Sequence, residues 1–302
     1  MVPWHTESKN DLLWLRGYAG VGKSVITKYL ITDVFKAPYV RSKTQASVGA
    51  ETDSEHGLFL AYFFCSERNR HLQSESNLLK AILHQLLKAS PREVSKAMQG
   101  FRQQRQSRLD YSFLSSPNLL WEAVKSALLA TTWGTTYFVF DGLDEMLDQD
   151  LRAFSTGLKS LIENVVPQIE PRNLKILVTS RPTASLETSL SCPSISIRSE
   201  RDVRHFVQGS TTELAQRYTL STQLQYEIVE RITEKARGMF LWAVLAWYEL
   251  CRDARRPEDF AMNLSQLQKL PSSLEMLYED ILNRLSPTSR SLALKAFPWL
   301  TL

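Results

Sequence analysis

Short apolar runs alternate with longer segments of helical periodicity up to about residue 198. Five of these runs predict strands, at residues 12–15, 58–65, 137–140, 176–178 and 194–197. The first four are almost wholly apolar, which is typical of strands buried on both faces of a parallel sheet. The pattern therefore predicts an α/β fold, a mostly parallel sheet with flanking helices.

Between these strands, the helical spacing of apolar residues predicts helices. One helix is expected over residues 24–35, and a second where leucines and an isoleucine recur on one face between residues 78 and 87. Ser116 and Pro117 fit the cap and first position of another helix. The polar, weakly patterned stretch 37–57 is predicted to be a loop or insertion.

Beyond residue 199 the helical spacing continues and no further strand is predicted. Ser199 followed by Asp202, and Ser272 followed by Glu275, each fit the capping box at a helix start. The chain therefore divides into an α/β domain, residues 1–198, and a helical part that follows it.

Composition narrows the classes of partner. Of the 302 residues, 43% are hydrophobic, which is typical of a globular protein. The net charge of +4 is small for this length and gives no case for nucleic-acid binding. The longest apolar run, residues 238–248, is shorter than the ~20 residues that a membrane-spanning helix needs. Cys65, Cys192 and Cys251 are far apart, which fits reduced thiols in a cytoplasmic protein.

A complete G-x-x-x-x-G-K-[ST] motif follows the first predicted strand and precedes the first predicted helix. Its residues are Gly17, Tyr18, Ala19, Gly20, Val21, Gly22, Lys23 and Ser24. Glycines let backbone N–H groups converge on an anion, and the helix start adds the positive end of its dipole. Lys23 would reach the β- and γ-phosphates and Ser24 would bind Mg²⁺. The motif predicts a phosphate loop for a Mg²⁺-bound nucleoside triphosphate.

Acidic residues follow the strand at 137–140, and a basic residue follows the strand at 176–178. Asp141 would lie at the carboxyl edge of the sheet, where ligands bind in α/β folds, and is suited to hold Mg²⁺. Asp144 and Glu145 are candidates for orienting the attacking water, with Glu145 preferred. Arg181 is placed to meet a γ-phosphate by a bidentate contact.

These motifs, with two later ones, resemble the NACHT modules of signal-transduction NTPases (the STAND class), in the form found in fungal nephrocystin-3-like and heterokaryon-incompatibility-type proteins. The matching segments are residues 13–17, 140–145, 178–182, 238–243 and 270–274. The resemblance implies residues 1–198 as the nucleotide-binding NACHT domain, 199–270 as a helical lid domain, and 271–302 as the truncated start of a winged-helix segment.

The resemblance also implies a switch that holds ADP when off and ATP when on, with self-association in the triphosphate state. Effector and repeat domains are expected outside this chain. ATP and ADP with Mg²⁺ are the expected ligands, and GTP is not excluded. Two alternatives remain open: a scaffold that binds nucleotide without hydrolysis, and a P-loop kinase with an unidentified acceptor.

Overall fold

The structure is a computed structural model that describes residues 12–35, 57–104, 115–169, 173–190, 192–267, 271, 274–283 and 285–300. The predicted loop at 37–57 and the Ser272 cap lie outside these residues, except Gly57. The strands are β1 (Leu12–Arg16), β2 (Leu58–Phe64), β3 (Thr135–Asp141), β4 (Asn173–Ser180) and β5 (Ser194–Ser196).

Twelve helices are seen in the described residues, α1 to α12. They are α1 (Lys23–Tyr29), α2 (Glu75–Ala89), α3 (Pro91–Gln104), α4 (Pro117–Ala130), α5 (Asp148–Ile169), α6 (Ala184–Ser189), α7 (Glu200–Tyr218), α8 (Thr222–Ala236), α9 (Phe240–Cys251), α10 (Pro257–Leu267), α11 (Leu274–Asn283) and α12 (Pro287–Leu300). Short 3₁₀ turns occur at Arg70–Leu72 and Leu143–Glu145.

The sheet is five-stranded in the order β2-β3-β4-β1-β5, and all its pairs are parallel. The predicted parallel sheet with flanking helices is therefore confirmed. Arg16 of β1 pairs with Ser180 of β4, and Phe140 of β3 pairs with Val178 of β4. This register brings the carboxyl ends of β1, β3 and β4 to one edge, where the phosphate loop begins.

The described residues divide into two compact units, each with its own apolar core. The first contains the described residues of 1–17 and 23–196, and the second those of 18–22 and 197–302. Strands β1 to β4 and helices α2 to α5 build the first core, in which Phe138, Phe140 and Phe154 are fully buried. Helices α7 to α10 build the second core, around Trp242.

Two local predictions differ from the structure. The helix expected over residues 24–35 is α-helical only to Tyr29 and continues as a π-helix over Leu30–Phe35. Ser199 does precede α7, but its hydroxyl caps no helical N–H and instead donates to the carbonyl of Gly238 at 2.6 Å. The capping-box interaction predicted there is wrong, because a partner distant in sequence takes the serine hydroxyl.

Candidate functional site

The phosphate loop follows β1 and ends at the first turn of α1. Gly20 and Gly22 have φ of 74° and 92°, a conformation that L-residues with side chains rarely adopt. The Lys23 ammonium group donates to the carbonyl of Gly17 at 2.7 Å. Burial lowers the pKa of Lys23, while the neighbouring carboxylates of Asp144 and Asp141 act in the opposite direction. The lysine therefore lies within electrostatic reach of the predicted acids.

Asp141 ends β3 and is 3% exposed, so its carboxylate depends on protein donors. The Ser24 hydroxyl donates to Asp141 Oδ2 at 2.5 Å. The hydroxyls of Thr27 and Thr179 donate to Asp141 Oδ1 at 2.7 Å and 2.6 Å. The structure thus brings together the two residues predicted to bind Mg²⁺, which are 117 positions apart in the sequence.

Asp144 and Arg181 form an ion pair in which the carboxylate accepts two hydrogen bonds. The backbone N–H of Arg181 donates to Asp144 Oδ1 at 2.9 Å, and its Nε donates to Oδ2 at 2.6 Å. The Asp144 side chain is 5% exposed and that of Arg181 is 46% exposed. The hydrogen bond to Asp144 raises the pKa of Arg181. Both oxygens of Asp144 are therefore engaged in holding the arginine.

Glu145 lies in the same 3₁₀ turn as Asp144 but has a different environment. One of its oxygens, Oε2, accepts the backbone N–H of Glu67 at 3.0 Å. Burial raises the pKa of Glu145, partly offset by that hydrogen bond, and the nearby Asp144 carboxylate raises it further. A half-buried carboxylate with a raised pKa is suited to accept a proton or orient a water molecule.

The donor set at the sheet edge fits Mg²⁺. The described residues contain no cluster of three or more His, Cys, Asp or Glu side chains that could hold a metal ion alone. Mg²⁺ usually keeps several waters and binds through one or two carboxylates together with substrate phosphates. Asp141 Oδ2 and Ser24 Oγ, two hard oxygens in contact beside the phosphate loop, are the residues that would hold it.

Three residues near these groups were not among the predicted site residues. Thr27 lies one turn after Ser24, and Thr179 is next to Asp141 once the β3–β4 register is continued by one residue. Thr179 could be found from the sequence only with that register in hand, and Thr27 only from its place one helical turn after Ser24. Glu67 reaches the site through its backbone N–H, which leaves no signal in the sequence.

The three cysteines are free, and none lies in an activated environment. Burial raises the pKa of the Cys65 thiol, and it raises that of Cys192 to about 11. Burial also raises the pKa of Cys251. These thiols are therefore protonated at neutral pH and are poor nucleophiles.

The sequence model of the family described as "Nephrocystin 3, N-terminal" matches residues 1–181 of this chain. A curated relative, the vegetative incompatibility protein HET-E-1 of Podospora anserina, is 23% identical over 295 residues, which covers 93% of this chain. The chain spans only 19% of the length of that relative.

Two solved structures are similar to this chain over most of its length. The Aeropyrum pernix ORC2 protein, solved as ADPNP-ADP complexes, has a TM-score of 0.46 at 12% identity over 86% of this chain and 62% of its own. The C. elegans PCH-2 structure has a TM-score of 0.41 at 15% identity over 88% of this chain and 64% of its own.

Among the described residues, no helix is both long and apolar enough to cross a membrane.

Proposed function

We propose that this chain is a nucleotide-dependent molecular switch, because of the family to which it belongs. It is a member of the Nephrocystin 3, N-terminal family and a NACHT-type P-loop NTPase module. It binds a nucleoside triphosphate with Mg²⁺ and hydrolyses it slowly. The observation that carries this proposal is the 2.5 Å contact between Ser24 Oγ and Asp141 Oδ2. It joins the phosphate-loop motif to the strand that ends in Asp141, as a Mg²⁺-nucleotide site requires.

The phosphates are assigned to the phosphate loop, residues 17–24. Its backbone N–H groups and the N-terminus of α1 attract the anion, and Lys23 contributes a positive charge. A bound Mg²⁺ would neutralise phosphate charge, with Ser24 and Asp141 as its protein ligands. The ligands in this proposal are ATP and ADP, with GTP as the alternative.

Hydrolysis is assigned to the acidic turn after β3. Glu145 orients the attacking water, because the Glu67 N–H is the one donor to its carboxylate among the described residues and because burial raises its pKa. Asp144 holds Arg181 in place, and Arg181 reports the γ-phosphate. A non-hydrolysing scaffold would need no such carboxylate, which favours the NTPase over that alternative.

The family and the length of the relative support the wider role that we propose. The relative named for vegetative incompatibility is several times longer than this chain, which supports effector and repeat domains outside it. We place the chain in an immune-like or incompatibility pathway in the cytoplasm, with self-association in the triphosphate state. Residues 199–270 serve as the helical lid domain and 271–302 as the start of a winged-helix segment in this proposal.

Steady-state turnover tests the proposal against its alternatives. The chain is incubated with ATP or GTP, with Mg²⁺ or EDTA, and with or without small-molecule acceptors, while free phosphate is measured. Slow, Mg²⁺-dependent phosphate release that acceptors do not stimulate is the expected result. Tight binding without any phosphate release would support the scaffold, and acceptor-dependent transfer without free phosphate would support a kinase.

A further inference from the structure

Two buried threonine hydroxyls hold one oxygen of the Asp141 carboxylate from two different elements. Thr179, near the end of β4, donates to Asp141 Oδ1 at 2.6 Å, and Thr27 in α1 donates to the same oxygen at 2.7 Å. The Thr27 hydroxyl also lies 3.0 Å from the Lys23 carbonyl, a more distant acceptor one turn back in α1. Both threonines are fully buried. We refer to this pair, Thr27 and Thr179, as the hydroxyl clamp.

The hydroxyl clamp makes the two oxygens of Asp141 unequal. A carboxylate oxygen has about two lone-pair sites, so two hydroxyl donors occupy Oδ1. Oδ2 instead contacts Ser24 Oγ. Oδ2 and the serine oxygen are therefore the atoms that would hold a hard cation, while Oδ1 anchors the carboxylate to the protein.

Thr179 makes a second contact that links Asp141 to the acidic turn. Its Oγ1 accepts the backbone N–H of Gly142 at 3.1 Å. Gly142 has φ of 73° and directly precedes the turn that carries Asp144 and Glu145. One hydroxyl thus orients both the carboxylate and the start of the turn. Valine has the same shape but can neither donate nor accept a hydrogen bond.

We propose that Thr27 and Thr179 are positioning residues for the cation that accompanies the bound nucleotide. They fix the plane of the Asp141 carboxylate so that Oδ2, rather than Oδ1, is presented beside Ser24. This inference rests on the proposed function, because it requires a Mg²⁺-nucleotide at this site. Removal of a group that orients a metal ligand typically lowers metal affinity about 10–100-fold. The signature is weaker cation binding with unchanged cation-free nucleotide binding.

The test uses the full chain with Thr27→Val, Thr179→Val, Thr179→Ser and the control Thr211→Val. Thr211 is also buried and donates to the Val207 carbonyl one turn back in α7. Its variant therefore reports the cost of losing a buried hydroxyl away from Asp141. Electron paramagnetic resonance measures Mn²⁺ affinity in the presence of ADP, and calorimetry in EDTA measures ADP binding without a cation.

We expect both valine variants of the hydroxyl clamp to bind Mn²⁺ about 10–100-fold more weakly, with ADP binding in EDTA unchanged. Thr179→Ser and Thr211→Val should bind Mn²⁺ as the wild type does. Thr27→Val leaves the contact between Thr179 and Gly142 intact, so it serves if Thr179→Val does not fold.

Unchanged Mn²⁺ affinity in folded Thr27→Val would overturn the hydroxyl clamp and leave the proposed function standing. If ADP binding fell equally with and without the cation, the hydroxyl clamp would also be overturned, because the loss would indicate a general structural effect. A folded wild-type chain that binds no ADP would instead overturn the proposed function and the clamp with it.

Discussion

Replacing Glu145 with glutamine separates the two acids of the turn after β3. Glutamine keeps the shape of the side chain and an oxygen that can accept the Glu67 N–H, but it removes the charge. Nucleotide binding should survive this change, because Glu145 is not assigned to the phosphates or to the cation. Turnover should fall about 10²–10⁴-fold, the usual contribution of a general base.

Asp144→Asn is the matched comparison, because its carboxylate already binds the backbone N–H and Nε of Arg181. The asparagine amide keeps one of these hydrogen bonds and loses the ion pair. Because Arg181 is 46% exposed, solvent screening reduces the value of the pair to about 1 kcal/mol at most. Even if the whole of this loss raised the activation free energy, turnover would change only roughly fivefold. The structure therefore predicts a much smaller effect for Asp144 than for Glu145.

Single-turnover phosphate release across a pH series measures both effects. Burial raises the pKa of Glu145, and a base must be ionised, so wild-type turnover should rise with pH through a value above the usual glutamate range. Glu145→Gln should lose this dependence, and the exposed Glu93→Gln should keep the wild-type profile. If Asp144→Asn abolished turnover while Glu145→Gln did not, the assignment of the two acids would be reversed.

Substitutions of Arg181 and of two glycines, and one measurement on the wild-type chain, have defined outcomes. Arg181→Ala should weaken ATP more than ADP in calorimetry, because only ATP has a γ-phosphate, and equal losses would count against this role. Gly157→Ala places a Cβ 2.2 Å from the buried Trp121 indole, so urea unfolding should show that the free energy of unfolding falls by about 1–3 kcal/mol. Gly209→Ala, with open space around its Cβ, should be neutral or stabilising. In hydrogen exchange, the backbone amides of α12, whose Leu292 is 70% exposed, should exchange faster than those of β3. Equal protection of the two elements would show that α12 is already stably packed.

The sequence predicted the parallel sheet because β1, β3 and β4 are buried on both faces and read as continuous apolar runs. The weakest strand, β5, is the short one whose three residues are exposed, and it ends at Ser196 rather than 197. Periodicity could not distinguish the α-helix from the π-helix after Tyr29, since both keep apolar residues at similar spacing. Ser199 misled the local pattern because its partner, Gly238, is 39 residues away.

The candidate site shows the same limit. Motif spacing identified Ser24 and Asp141 as partners, since each residue type has a defined role beside a nucleotide. It could not distinguish Asp144 from Glu145, because that choice depends on which carboxylate Arg181 binds. The roles of these residues stay predictions until nucleotide binding and turnover are measured.

The central claim is that residues 17–24 form a phosphate loop for a nucleotide. Measuring ATP binding to Lys23→Ala tests it most directly, with Lys28→Ala as the control in the same helix. Lys28 is exposed and lies outside the phosphate-loop motif. Charge-assisted hydrogen bonds contribute ~1.5–3 kcal/mol, so Lys23→Ala should lower ATP affinity about 10–150-fold in calorimetry with Mg²⁺. Lys28→Ala should bind ATP as the wild type does. Unchanged ATP affinity in a folded Lys23→Ala chain would contradict the assignment of residues 17–24 as a phosphate loop.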